Sequence, residues 1–273
     1  MIKKGFLFIL FLSISIATFS QSVPKLRANA ELGYLGVLSH RIQFSNDGTE
    51  INYVTQGGQD VLFPVSRLSL DFYLTKRSSI TLLYQPLKIE TRAFVEEDII
   101  VDEAVFPAGT GVRFLYNFPF YRASYLYEFA PDNKSYDFAF GGTIQIRNAT
   151  IEFESLDGSL FRRNSDIGVV PALKLRAKKY YGPNYFIGLE ADGIYAPVSI
   201  LNGSTNEIVG AILDASLNAG FRITKEAFTF LNVRYLGGGA VGTSEQVEGP
   251  GDGFTRNWLH FLNVSVGFSY EFY

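Results

Sequence analysis

The last sixteen residues, WLHFLNVSVGFSYEFY at Trp258–Tyr273, decide the fold. From Leu262 to Phe272 every second residue is apolar or aromatic, whereas the residues between them are small or polar. A period of two predicts a β-strand with one apolar face and one polar face. The stretch therefore predicts a long terminal strand that lies between an apolar and a polar environment.

The first twenty residues have the character of an export signal. Lys3 and Lys4 precede an apolar run over residues 5–17, which is too short to span a bilayer as a helix. Small residues at the end of this run predict cleavage after Ser20. Residues 1–20 are therefore predicted to be a signal peptide that is removed on export, and residues 21–273 to form one domain.

Composition excludes several classes of protein. The chain has no cysteine, which rules out disulfides and thiolate chemistry. The net charge of -3 argues against a nucleic-acid partner. After the signal, no apolar run approaches the ~18 residues that a transmembrane helix needs. The 25 Phe and 16 Tyr favour aromatic girdles at two membrane interfaces.

Alternation recurs along the whole mature chain and predicts twelve strands. The runs are 28–38, 65–75, 80–91, 112–118, 121–129, 137–147, 150–155, 169–178, 185–194, 209–223, 228–235 and 258–272. Short and long connections mostly alternate between these runs, which is typical of periplasmic turns and extracellular loops. In the third run the apolar residues change parity after Pro86, which predicts a β-bulge there.

The signal, the alternating strands and a last strand ending in Tyr270, Phe272 and Tyr273 resemble bacterial outer-membrane β-barrel proteins as a general class. The resemblance implies an all-β, transmembrane, antiparallel up-and-down barrel of about 12 strands in the bacterial outer membrane. It also implies contact with outer-membrane lipid and recognition of the last strand by the barrel-assembly machinery. The alternative architecture is a soluble all-β protein whose apolar face is turned inward.

If the apolar face meets lipid, sixteen charged side chains face the lumen, eight of each sign. They are Arg67, Asp71, Arg113, Arg122, Glu128, Asp137, Arg147, Glu152, Glu154, Lys174, Arg176, Glu190, Asp192, Asp214, Arg222 and Arg234. One interpretation is a network of ion pairs that stiffens the barrel. The other is a narrow polar pore. Of the functions considered, the sequence favours porin-like passive passage of small polar solutes.

Two further functions remain open. Ser39, His40 and His260 fall near the ends of the first and last strands, which raises the hypothesis of a lipid-modifying hydrolase. No third group is placed to orient a base, so no catalytic residue is assigned. The acidic loop at residues 96–103 lacks the spacing of a calcium loop, and no metal or cofactor is assigned. The last alternative is a structural or surface-binding barrel that acts through its extracellular loops.

Overall fold

The computed structural model describes residues 25–133, 135–197, 207–244 and 251–273, and the predicted signal peptide lies outside these residues. The described residues form fifteen strands. Their bounds are β1 Lys25–Phe44, β2 Ile51–Asn52, β3 Leu62–Tyr73, β4 Ser78–Gln85, β5 Lys88–Phe94, β6 Ile99–Val101, β7 Ala104–Phe106, β8 Gly111–Asn117, β9 Phe120–Glu128, β10 Tyr136–Ser155, β11 Phe161–Tyr181, β12 Tyr185–Pro197, β13 Glu207–Arg222, β14 Ala227–Thr243 and β15 Phe254–Phe272. Within the described residues, no helix is long and apolar enough to cross a membrane.

Within the described ranges, ten strands close an antiparallel barrel. Their order around the ring is β1, β3, β4, β9, β10, β11, β12, β13, β14 and β15. The ring closes where β15 pairs with β1, from Leu26 opposite Phe272 to Phe44 opposite Thr255. The terminal strand predicted from its alternation is therefore one side of the closing seam.

The barrel has ten strands and not the expected twelve, because in two cases a pair of predicted strands occupies a single strand position in the barrel wall. β10 runs without a turn through Asn148. β8 and β9 both pair with β10 in one register, with Asn117 opposite Thr150 and Phe120 opposite Arg147. Pro119 cannot donate to the ladder, so it interrupts this line without ending it.

The predicted bulge at Pro86 is wrong. Gln85 pairs with Phe120 and Lys88 pairs with Asn117, so equal numbers of residues separate the two pairs and the register does not shift. The inward series continues through Leu83, Gln85, Leu87 and Ile89, all of which are buried. The apolar residues change parity because the surroundings of the strand change, while its geometry does not.

This change of surroundings divides the barrel into two zones, as β10 illustrates. Its first half has polar Thr143 inside and exposed apolar Phe140 outside. Its second half has buried Phe153 inside, whereas Glu152 and Glu154 lie on the outer face. An apolar outer face suits lipid, and an apolar interior with a charged outer face suits water. We call the second zone the head.

The head is filled by side chains from the upper parts of the barrel strands and from the elements inserted between them. The head core consists of residues that are buried and in mutual contact: Leu35, Val37, Ile42, Phe44, Ile51, Tyr53, Val65, Leu87, Ile89, Val95, Ile99, Val101, Phe106, Val112, Phe114, Tyr116, Phe118, Phe120, Ala149, Ile151, Phe153, Leu236, Leu259 and Phe261. β5 extends β4, and β8 extends β9, as a hairpin above the lipid zone. The β6–β7 hairpin at its tip contributes Val101 and Phe106 to the core.

Two outward positions on β10 test the boundary between the zones. Ile144 is 56% exposed on the apolar outer face, and Asn148 lies four residues further along the same face. We expect Ile144→Arg to destabilise the protein in lipid by about 2–4 kcal/mol, because it places a charge in hydrocarbon. Asn148→Arg should cost about 0–1 kcal/mol, since an interfacial cation reaches water. Denaturant unfolding from lipid vesicles measures both, and equal costs would contradict the proposed boundary.

Candidate functional site: the charged lumen and the head core

The structure places most of the sixteen predicted lumen residues on the inner face of the barrel, on the strand parity that faces the axis. These are Arg67, Asp71, Arg122, Glu128, Asp137, Arg147, Lys174, Arg176, Glu190, Asp192, Asp214, Arg222 and Arg234. Arg222 lies at the short-turn end, with its guanidinium 4.2 Å from the centre of the Phe228 ring. Arg147 lies at the entrance to the head, where it forms an ion pair with Asp166.

Three of the sixteen lie instead on the outer face of the head. Arg113 is in register with Glu154, and its guanidinium forms ion pairs with Glu154 at 2.5 Å and with Glu152 at 3.2 Å. The neighbouring residue, Phe114, points into the core. These charges face water above the lipid zone, so the assumption that the apolar face is always the outer face fails for them.

Alternation analysis missed several inward charges at the short-turn end. Arg27 donates to Glu271, with an Nη2–Oε1 distance of 2.5 Å. Glu31 accepts a hydrogen bond from Arg67 at 2.8 Å. Arg27 was missed because the strand begins three residues earlier than its apolar pattern suggests. Glu31 and Glu271 share the polar parity of their strands, and that signal was present in the sequence.

One group of side chains crosses the lumen and forms a layer that we call the cross-lumen layer. Asp214 on β13 accepts hydrogen bonds from Arg234 on β14 and from Arg122 on β9. β9 and β13 are four strands apart in the ten-stranded ring, so the Arg122–Asp214 contact spans its interior. The charged side chains in this contact are at most 4% exposed.

A second contact crosses the lumen at the same level. Arg234 Nη1 donates to Gln85 Oε1 on β4, at 2.5 Å. Arg122 Nε donates to Gln145 on the neighbouring β10, at 2.6 Å. Asp192 on β12 accepts from Lys174 at 2.8 Å and from Thr143 at 2.5 Å, which extends the layer to the remaining wall. Buried charges held by several partners in this way form a rigid network.

The two histidines lie on opposite faces of the barrel wall. His40 is fully buried in the head, with Nδ1 2.9 Å from Gln59 Oε1 and with its ring edge-on to Tyr53 and Tyr116. His260 pairs with Ser39 on the outer face, and its Nδ1 lies 2.5 Å from the Tyr235 hydroxyl.

The histidines are therefore adjacent in strand pairing but do not form one site. Among the described residues, no hydrogen bond joins Ser39 to His260. In the described part of the chain, Ser39 and His260 therefore do not form an assembled nucleophile and base.

The acidic loop at residues 96–103 is occupied by structural contacts. Asp98 accepts a hydrogen bond from the Ala108 backbone at 2.8 Å, and Asp102 accepts from Arg162 at 2.6 Å. Across the described parts of the chain, no cluster of three or more His, Cys, Asp or Glu side chains is arranged to hold a metal ion.

Burial lowers the pKa of His40 from 6.5 to about 4. Between these pH values the unfolded chain binds a proton that the folded head excludes. The contribution of His40 to the free energy of unfolding is therefore fully present above pH 6.5 and is lost as the pH falls towards 4. We expect thermal unfolding in detergent micelles, followed by Trp258 fluorescence, to show this slope. His40→Leu should remove it and His260→Leu should retain it; a slope that survives His40→Leu would contradict the assignment.

Comparison with known proteins identifies the fold. No protein family matches the chain, and no curated sequence does either. The crystal structure of the outer-membrane protease OmpT from Escherichia coli superposes with a TM-score of 0.52 at 12% identity, covering 93% of this chain and 99% of that one. The fold is that of a bacterial outer-membrane β-barrel.

Two other solved outer-membrane barrels have lower TM-scores. Ail from Yersinia pestis has a TM-score of 0.32 at 10% identity and covers 90% of this chain and 99% of its own. A FadL homologue from Pseudomonas aeruginosa has a TM-score of 0.39 at 9% identity and covers 90% of this chain and 89% of its own. At 12% identity the likeness to OmpT concerns the fold alone, and function must be argued from this chain's own residues.

Proposed function

We propose that this outer-membrane barrel is a closed, non-conducting protein that holds a folded head at the cell surface, where it has a structural or surface-binding role. The observation that carries the proposal is the cross-lumen layer, in which Asp214 is bonded to arginines on opposite walls. A hydrated pore needs continuous space along its axis, and buried ion pairs occupy that space.

The head core supports the same conclusion independently. Phe114, Tyr116, Phe153 and Phe261 fill the barrel on the extracellular side of the layer, and each is at most 1% exposed. An apolar core packed at the density of a protein interior leaves no path for water or ions. The porin-like passage of small polar solutes is therefore less well supported than a surface role.

The route to the membrane is part of the proposal. We infer that residues 1–20 are cleaved on export and that the strand ending in Phe272 is recognised by the barrel-assembly machinery. We also infer that the exposed apolar side chains of the lipid zone, outside the head, contact outer-membrane lipid. The short turns then face the periplasm and the head faces outward, as in other barrels of this kind.

Planar-bilayer recording tests the closed lumen. We expect no stepwise conductance from the wild type, and none from Arg122→Ala, because the head core still closes the barrel when the layer is weakened. A heat-dependent gel shift of the same samples serves as the folding control, since a closed barrel resists detergent. Steady single channels in the wild type would contradict the proposal and favour porin-like passage.

A further inference from the structure

A cavity of about 80 Å³ lies in the lumen between the cross-lumen layer and the short-turn end. This space holds a few water molecules or one small ion. Five cations line it: Arg27, Arg67, Lys174, Arg176 and Lys178. They come from β1, β3 and β11, so positive charge reaches the cavity from well-separated parts of the wall.

The three carboxylates that line the cavity already have partners. Glu31 accepts hydrogen bonds from Arg67, Asn232 and Ser265, each at 2.8 Å. Asp71 accepts from Thr81 at 2.6 Å and from Asn29 at 3.1 Å. Glu190 is 3.4 Å from the ammonium of Lys174. Glu31 and Glu190 are thus engaged with Arg67 and Lys174, and Asp71 is held by neutral groups; none of the three forms an ion pair with Lys178.

Lys178 is the least compensated of those cations. Within the described residues its ammonium forms no ion pair, and it lies 4.5 Å from the centre of the Phe186 ring. Asp137 is opposite Lys178 in the strand register; its carboxylate accepts a hydrogen bond from the Tyr180 hydroxyl at 2.6 Å and forms no ion pair with Lys178.

Two arginines add to this imbalance. The nearest ion-pair partner of Arg176 is Glu128, at 3.9 Å. The Nε of Arg67 is buried and has no hydrogen-bond partner. A charged donor without a partner in a poorly solvated site is costly, and an anion would offset that cost.

We propose that this cavity binds a small oxyanion, a phosphate or carboxylate group, which enters from the short-turn end and is held by Lys178, Arg176 and Arg67. Guanidinium and ammonium groups form their strongest hydrogen bonds with such oxygens. The site is separated from the extracellular side by the cross-lumen layer. The barrel would thus take up its ligand from the periplasmic side without conducting it.

Isothermal titration of the full-length protein, refolded in zwitterionic detergent, with inorganic phosphate tests the proposal. We expect the wild type to bind phosphate in preference to chloride at equal ionic strength. Lys178→Met should weaken binding roughly tenfold or more, because it removes a charge-assisted hydrogen bond. Lys179→Met is the matched control, since Lys179 is the adjacent residue on the exposed outer face and should leave the affinity unchanged. A parallel titration with acetate shows which of the two oxyanion groups the site prefers.

Thermal unfolding gives a second readout, the change in melting temperature with and without phosphate. Without phosphate, Lys178→Met should be at least as stable as the wild type, because it removes an uncompensated charge. Phosphate should then raise the melting temperature of the wild type but not of the variant. Absence of phosphate binding by the wild type, an equal effect of chloride, or equal affinities of Lys178→Met and Lys179→Met would overturn the proposal. If Lys178→Met does not fold, the comparison of phosphate with chloride in the wild type still decides it.

Discussion

Asp214→Asn should lower the free energy of unfolding by about 3–5 kcal/mol, because it leaves two buried arginines without their shared carboxylate. The substitution keeps the shape of the side chain, so the loss reports charge and not packing. Arg122 and Arg234 both contact Asp214, and both are almost completely buried. Denaturant unfolding from lipid vesicles, followed by the fluorescence of Trp258, measures the change.

An exposed pair provides the control for Asp214. Asp132 lies 3.3 Å from Lys76 near the short turns, and both side chains are largely exposed. Asp132→Asn should therefore change stability by about 0–1 kcal/mol. Adding Arg234→Met to Asp214→Asn should recover part of the loss, since it removes one stranded charge. A loss from Asp214→Asn no larger than that from Asp132→Asn would contradict the cross-lumen network.

Phe153→Ala should destabilise the protein by about 3–5 kcal/mol, because it opens a cavity in the head core. Phe153 is 1% exposed and packs against Phe44, Tyr53, Phe106 and Phe114. Those contacts join β1, the β2 region, the β6–β7 hairpin and β8. The variant should therefore loosen the head as a whole, which faster proteolysis of the head in the folded protein would detect.

Phe140 on the same strand is the matched control for Phe153. It is 43% exposed on the outer face of the lipid zone, so its truncation leaves no internal cavity. Phe140→Ala should cost clearly less than Phe153→Ala, because lipid can fill the space. Equal costs would mean that the barrel interior does not change character between the two positions.

The sequence predicted the barrel well where each strand stays in one environment. β13 keeps apolar residues outside from Val209 to Phe221, and β15 does so from Leu262 to Phe272. Both were recognised over nearly their full lengths. β10 and the β8–β9 line pass from lipid into water, and there the apolar residues move to the inner face. A pattern search treats that move as a strand end, which is why it found twelve strands where the barrel has ten.

The charged members of the cross-lumen layer were predictable from the sequence, but their pairing was not. Alternation alone placed Arg122, Asp214 and Arg234 on the inner face. Which of them meet depends on the ring order and on the stagger of the strands, and neither is encoded locally. The network that closes the lumen could therefore not be distinguished from a charged pore. For Arg113 the local pattern was correct, but the inner and outer faces had exchanged their polarity.

One extra residue in β1 sets which side chains the upper part of this strand turns into the head. The register shifts between Val37 and Ser39, and Leu38 is the extra residue. Below it the odd-numbered side chains face inward, and above it His40, Ile42 and Phe44 do so. If β1 continued in regular alternation through Leu38, Arg41 and Gln43 would face the core and Ile42 and Phe44 would face water. Homologous chains that lack residue 38 should accordingly keep the same side chains in the head core, because Ser39 then follows Val37 directly and pairs with His260 in a regular ladder.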